Sequence, residues 1–181
     1  MSVANLVTLA RLFSVPLAIW LILNEHMTAV FWLFVAAGVS DMIDGTIAKV
    51  LNQRSELGAL LDPIADKVLL VSMCVTLGLA GWLPSWLVIL VVFRDVLIVG
   101  GYLLAMAVSQ PIRSRPLIIS KINTGLQIVL VAVVLARLGL GIDDLHLADV
   151  LIYAVGLTTV LSGAGYVVRW WRGFDGAEPE P

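Results

Sequence analysis

Six apolar stretches, each long enough to cross a hydrocarbon core, follow one another with only short polar connections between them. They cover 6–23, 28–50, 58–79, 84–108, 117–138 and 148–170, and a helix needs about 20 residues to span a bilayer core. Turn-forming and polar residues gather between them, at 24–26, 52–56, 81–84, 110–116 and 139–144. With connections this short, consecutive helices are expected to pack antiparallel. Hydrophobic residues make up 60% of the 181 positions and charged residues 13%. A soluble domain of this size has too little interior to hide so much apolar surface. The expected fold is therefore an all-α integral membrane domain over 1–172 with six transmembrane helices, followed by a disordered polar tail at 173–181 that holds Pro179 and Pro181.

The 11 Lys and Arg nearly balance the 13 Asp and Glu, for a net charge of −2. Such a balance offers no basic surface for nucleic acid, so no nucleic-acid partner is expected. The single cysteine, Cys74, excludes an internal disulfide framework and any cysteine-based zinc cluster. Where the bases fall sets the orientation. With the N-terminus cytoplasmic, Arg11, Lys49, Arg54, Arg113, Arg115, Arg169 and Arg172 lie at or near cytoplasmic helix ends, and Arg137 alone lies outside. Both termini are then cytoplasmic. Asn5 and Arg11 interrupt the start of the first stretch and no small-residue cleavage site follows it, so it reads as a mature helix rather than a signal peptide.

The acids are the anomaly. Asp41 and Asp44 lie within the second stretch, Asp62 and Asp66 within the third, and an aspartate near the centre of a membrane helix costs about 2.5–3.5 kcal/mol on the insertion scale. At 100° per residue, Asp41, Asp44, Gly45 and Ala48 share one helix face, and Gly58, Asp62 and Asp66 share another. A rise of 1.5 Å per residue places Asp41 and Asp66 both roughly 20 Å from the outer surface, and Asp44 and Asp62 both near roughly 25 Å. Four carboxylates then meet at one level, where two of them about 6 Å apart repel by roughly 3 kcal/mol. Hard divalent cations answer that repulsion with the right ligand chemistry, and four carboxylates balance two such ions. Two metals close together form a clamp suited to phosphoryl transfer. Two other readings compete: fixed ion pairs with Lys49, Lys67, Arg94 and Lys121, or an ion-coupled transport pathway. Regular spacing on two facing helices argues against the first, and the lack of inverted repeats or broken helices against the second.

The run Asp41-Met42-Ile43-Asp44-Gly45-Thr46-Ile47-Ala48-Lys49, followed by Gly58, Asp62 and Asp66, resembles the signature of the CDP-alcohol phosphatidyltransferases. Lys49 departs from it, since the family usually has Arg there; the charge is kept and the bidentate fork is lost. The resemblance implies a six-helix integral membrane enzyme, usually a homodimer, with two divalent metal ions, Mg²⁺ or Mn²⁺, held by Asp41, Asp44, Asp62 and Asp66. It further implies that Asp66 is the general base, deprotonating an acceptor hydroxyl that attacks the β-phosphorus of a CDP-linked lipid, with CMP leaving. Gly45, Ala48 and Gly58 match positions that lie against the nucleotide, and Lys49 is assigned to the same CDP-lipid site.

Asn5, Thr8 and Arg11 form an N-x-x-T-x-x-R run similar to one found in both phosphatidylglycerophosphate synthases and CMP-forming cardiolipin synthases, and they too are assigned to the CDP-lipid. Three later stretches, Arg94-Asp95, Ser120-Lys121-Ile122-Asn123-Thr124 with Gln127, and Thr158-Thr159 with Ser162-Gly163, resemble the cardiolipin synthase branch. The lipid substrates implied are CDP-diacylglycerol and phosphatidylglycerol. Phosphatidylglycerophosphate synthases, whose acceptor is glycerol 3-phosphate, tend to carry G-K-x-K-T where this chain has Ser120 to Thr124, so one lysine is missing. A less basic pocket suits the single charge of a phosphodiester, held by Arg94, Lys121 and the loop bases Arg113 and Arg115. With no transit peptide read at its start, the chain is expected in a bacterial inner (plasma) membrane with its active site toward the cytoplasm.

Overall fold

A computed structural model describes residues 3–51, 56–107, 117–143 and 146–174, with side chains at 9–40, 65, 67–101, 117–143 and 146–170. Regular structure within these residues is helical throughout: α1 (Val3–Leu23), α2 (Met27–Leu51), α3 (Glu56–Leu79), α4 (Ser85–Ala107), α5 (Ile118–Leu140) and α6 (Leu147–Phe174). Each apolar stretch of the sequence coincides with one helix. The ends differ by a few residues, as fraying termini do, and α6 continues through Phe174, past the polar boundary read at Gly173. Over the described residues, Ile118–Leu140 and Leu147–Trp170 are long and apolar enough to cross a membrane, whereas Leu9–Leu23, Met27–Ser40 and Lys67–Leu79 are apolar but shorter.

The turns follow from local backbone chemistry. At the end of α3 the Gly81 N–H bonds Gly78 O and the Trp82 N–H bonds Leu77 O, with Gly81 at φ 82°. This is a Schellman closure, which needs a left-handed residue and so favours glycine. The end of α1 closes the same way, from Glu25 to Ile22 O and from His26 to Leu21 O, with Glu25 at φ 59°. The Asn24 Nδ2 amide donates to Trp20 O at 2.7 Å, a second bond to a carbonyl that already accepts the Asn24 N–H at 3.1 Å.

The chain divides into two compact units. Unit 1 holds residues up to Leu83 and Val131–Ala148, and unit 2 holds Pro84–Leu130 and the residues from Asp149 onward. In unit 1, α1 packs against both α2 and α3. Val15, Ala18 and Ile22 line the buried stripe of α1, and Leu70, Met73, Cys74 and Leu77 that of α3. Close to the start of α2, Thr28 Oγ1 donates to Gly139 O at 2.5 Å, and a Cβ on Gly139 would lie 2.7 Å from Met27 O. The absence of that Cβ lets the backbones meet.

In unit 2 the pairings give the helix directions. The Trp86 ring covers Gly156, Arg94 bonds Ser162, and the Trp170 ring covers Gly101. These contacts climb both helices together, so α4 and α6 run parallel. Asn123 bonds Thr158 and Thr159, whereas Leu117 lies beside Gly165. These descend α5 while climbing α6, so α5 is antiparallel, as its short connection to α6 leads one to expect. The shared stripe is apolar at one end, with Leu87, Val91, Leu130, Leu151 and Val155, and polar at the other. Outward positions are apolar in turn, among them Ile89, Phe93, Val96, Tyr153 and Leu157. A polar interior under an apolar exterior inverts the usual pattern of a soluble bundle.

Candidate functional site

The acidic signature falls on unbroken helix. α2 runs without interruption through Asp41 and Asp44, and α3 through Asp62 and Asp66, so the three-residue step and the four-residue step each keep a carboxylate pair on one face. The side chains of these four residues lie outside the described ones, as do those of Asn5, Thr8, Gly45, Ala48, Lys49 and Gly58; Arg113 and Arg115 lie outside the described residues altogether. Four carboxylates on two helices of one unit are a donor set that suits hard divalent cations. Among the described residues, no group of three or more His, Cys, Asp or Glu forms a competing metal site. Arg11, the described member of the N-terminal run, is buried in α1, and its carbonyl accepts the Ser14 hydroxyl at 2.6 Å.

In unit 2 the described polar side chains gather at one end of the bundle. Arg94 projects from α4 into the bundle with its side chain 3% exposed. Its Nη1 donates to Asp95 Oδ1 at 2.6 Å. Its Nε and Nη2 both donate to Ser162 Oγ, at 3.2 and 2.9 Å, and Nη2 also donates to Ser120 Oγ. One guanidinium therefore ties α4 to α5 and α6. A buried charge persists in an apolar setting only when paired and hydrogen-bonded, and Asp95 with the two hydroxyls meets that condition. The Arg94 stem runs beside Gly163, where a Cβ would lie in ordinary contact at 3.9 Å from Arg94 Cγ.

One turn deeper, Asn123 Oδ1 accepts from Thr158 Oγ1 at 2.7 Å and from Thr159 Oγ1 at 3.0 Å. Both of its lone pairs are then used. Asn123 Nδ2 and Gln127 Nε2 are buried and find no hydrogen-bond partner among the described residues. Ser120, Asn123 and Gln127 recur at helical spacing on one face of α5, as do Thr159 and Ser162 on α6. That recurrence within apolar stretches is the signal that could have grouped them. The three stretches carrying the branch resemblance thus interlock through their polar side chains, although they are far apart in sequence.

Of the sequence-assigned residues, Arg94 is buried in this network and Lys121 is exposed on α5, one residue after Ser120. Asp95, Ser120 and Ser162 had been given no role from sequence, yet they complete the setting of Arg94. His26 and His146 are exposed. Gly101 and Gly165 serve helix packing, against Trp170 and Leu117, whereas Gly100 has nothing within 4 Å. Trp86 and Trp170 pack against glycines, and Trp86 stacks on Tyr153 at 6.1 Å between ring centroids.

Comparison with known proteins places this arrangement. A Schizosaccharomyces pombe protein named cardiolipin synthase (CMP-forming) / mitochondrial hydrolase fusion protein is 34% identical over 179 residues, covering 91% of this chain and 30% of that protein. A protein of Oryza sativa subsp. japonica named CDP-diacylglycerol–glycerol-3-phosphate 3-phosphatidyltransferase 1, chloroplastic, is 33% identical over 188 residues, covering 94% of this chain and 57% of that one. The Homo sapiens cardiolipin synthase (CMP-forming) is 30% identical over 181 residues, covering 91% and 60%. The chain thus spans between 30% and 60% of the length of these three relatives. Residues 1–171 match the CDP-alcohol phosphatidyltransferase family, acidic helices and polar bundle included, and the chain belongs to that family.

Proposed function

We propose that the chain is a CMP-forming cardiolipin synthase, which transfers the phosphatidyl group of CDP-diacylglycerol to a hydroxyl of phosphatidylglycerol and releases CMP. The family match across 1–171 supports the transferase chemistry. The observation that carries the acceptor choice is the start of α5. Where phosphatidylglycerophosphate synthases tend to carry two lysines, Lys121 is exposed here and the second position is Asn123, wholly buried and bonded to two threonines. A pocket with one lysine fewer suits the single negative charge of a phosphodiester better than the nearly double charge of glycerol 3-phosphate. The name and similar identity of the rice relative favour glycerol 3-phosphate as a second reading.

In this proposal Asp41, Asp44, Asp62 and Asp66 hold two divalent ions, Mg²⁺ or Mn²⁺, which when bound neutralise the pyrophosphate of the CDP-lipid. Asp66 takes the proton of the acceptor hydroxyl, whose oxygen bonds to the β-phosphorus as the bond to CMP breaks. Asn5, Thr8, Arg11 and Lys49 receive the polar part of the CDP-lipid, and Gly45, Ala48 and Gly58 leave space for its nucleotide. Lys121, Arg113 and Arg115 meet the acceptor phosphate, with Arg94 serving the same end from inside the bundle. The setting is a membrane, supported by the apolar exterior and polar interior of unit 2 and by the two long apolar helices. Six crossings with both termini and the site toward the cytoplasm, one transferase domain over 1–172, and a homodimer complete the proposal.

The test is CMP release by the purified full chain in mixed micelles of CDP-diacylglycerol with Mg²⁺ or Mn²⁺, offered phosphatidylglycerol or glycerol 3-phosphate. Release with phosphatidylglycerol is the expected result. Release with glycerol 3-phosphate alone overturns the acceptor, and no release with either, joined to ion flux in liposomes, overturns the transferase reading in favour of transport. Asp66→Asn should lower turnover by about 10²–10⁴-fold with the protein still folded; near-normal turnover removes the base role.

A further inference from the structure

Arg94 is nearly consumed by its own surroundings. A guanidinium has five N–H donors in a fixed planar fork, and four of those of Arg94 go to Asp95, Ser120 and Ser162. At 3% side-chain exposure it offers almost no surface to a ligand. Its charge is matched within 2.6 Å by the Asp95 carboxylate, so the pair is neutral as a unit and draws an incoming anion weakly. Lys121 is the opposite in each respect. It is exposed, and its ammonium has no hydrogen bond or ion pair with a described residue. It follows Ser120 directly, so the anchor that fixes Ser120 also fixes where the stem of Lys121 begins.

We propose that Arg94, Ser120 and Ser162 are positioning residues for acceptor binding: the guanidinium locks the first turn of α5 to α4 and α6 and thereby sets the direction in which Lys121 presents its ammonium to the acceptor phosphate. The proposal rests on the acceptor reading above for its substrate, and on the bundle geometry alone for its mechanics. Serine suits the role. A hydroxyl accepts from the fork without adding charge, and on a helix serine holds it one carbon away from the backbone it anchors, so little slack separates Arg94 from the path of α5. A second tie, from Asn123 to Thr158 and Thr159, fixes the next turn on the same face. Two successive turns pinned on one face leave Lys121, about 100° round the helix from Ser120, with a defined direction.

The experiment compares Ser120→Ala, Ser162→Ala and the double variant with wild type, using full chain in mixed micelles at varied mole fractions of each lipid substrate. Removing the hydroxyls leaves Arg94 paired with Asp95, so no buried charge loses its counter-ion. The double variant should raise the KM for phosphatidylglycerol about tenfold, equivalent to the loss of about 1.4 kcal/mol of acceptor binding, with kcat and the KM for CDP-diacylglycerol within about twofold of wild type. Ser120→Thr, which keeps the hydroxyl, should restore most of the loss. An unchanged acceptor KM, or an equal rise in both KM values, overturns the proposal. Should the wild type use glycerol 3-phosphate instead, the acceptor reading fails and the same KM comparison on that substrate still judges the positioning role.

A second measurement is independent of turnover. A nitroxide at position 121, introduced through Lys121→Cys in a Cys74→Ala background, should give an ordered spectrum that becomes mobile when Ser120 and Ser162 are both alanine. Identical spectra overturn the positioning role whatever the substrate proves to be.

Discussion

Asn123 and Gln127 lie one turn apart on the buried face of α5, and their amides differ in what the oxygen holds. Both amide nitrogens are buried with no partner among the described residues, but the Asn123 oxygen is fully used by two threonine hydroxyls. Removing a satisfied acceptor strands its donors, and removing an unsatisfied donor relieves a desolvation cost. Asn123→Leu should therefore destabilise the fold by about 1–3 kcal/mol, because the Thr159 hydroxyl loses its acceptor in an apolar surround. Thr158 softens the effect, since its hydroxyl has the alternative of Ala154 O at 2.9 Å. Gln127→Leu, close in volume, should be neutral or stabilising by about 1 kcal/mol. Apparent melting temperatures in one detergent decide the matter: the two variants must shift in different directions or by clearly different amounts. Equal losses at both positions would mean that Gln127 has a partner as valuable as those of Asn123.

At the scale of the helix, the closest approaches are set by glycines that differ in what they face. A Cβ at Gly139 would meet Met27 O at 2.7 Å and Thr28 Cα at 2.9 Å, and all of the nearest atoms are backbone. Backbone cannot rotate aside, so α5 and the start of α2 must separate and the bond from Thr28 to Gly139 O is strained with them. Gly139→Ala should destabilise unit 1 by about 1–3 kcal/mol, the usual range for overpacking. Gly100, in α4, faces open space within 4 Å, and Gly100→Ala should be neutral or gain up to about 1 kcal/mol of helix propensity. Unfolding of the two variants in parallel separates steric from conformational effects, and a larger loss for Gly100→Ala would contradict the packing described. The same glycines mark where sequence reading stops. The helices themselves were legible, because long apolar runs broken by turn residues leave few alternatives, and the acidic helices were legible because spacing by three and four is local. Gly139 and Gly156 went unrecognised, since nothing near them in sequence reports that Met27 or Trp86 lies opposite. The setting of Arg94 was hidden for a related reason. Its presence in an apolar helix could be read, but its partners Ser120 and Ser162 come from two other helices, and only the parallel course of α4 and α6 brings them within reach.

For the whole molecule, the proposal of six crossings makes a claim about parity that any single helix leaves open. An even number of crossings returns the chain to the side from which it set out. Under that proposal the positions of the bases along the sequence give the side: Lys49, Arg54, Arg113, Arg115, Arg169 and Arg172 are assigned to cytoplasmic ends, and Arg137, exposed in the last turn of α5, to the opposite side. Arg11 adds nothing to this balance, because it is buried in α1 rather than presented at a helix end. Six bases against one is a strong bias for short connections, in which Lys and Arg are retained on the cytoplasmic side. Single cysteines at Ser2 and Glu178, in a Cys74→Ala background, should both react with a membrane-impermeant maleimide from the cytoplasmic face of sealed vesicles. A cysteine replacing Glu25, in the turn after α1, should react only from the opposite face. Labelling of Ser2 and Glu178 positions from different faces would require an odd number of crossings. One helix would then lie outside the bilayer or re-enter it, and the matched depth of Asp41 with Asp66, which depends on α2 and α3 crossing in opposite directions, would need those two helices to be exempt. If the Glu25 position labels from the cytoplasmic face instead, α1 does not cross, and Arg11 with the polar run at Asn5 and Thr8 would lie along the membrane surface rather than within the bundle.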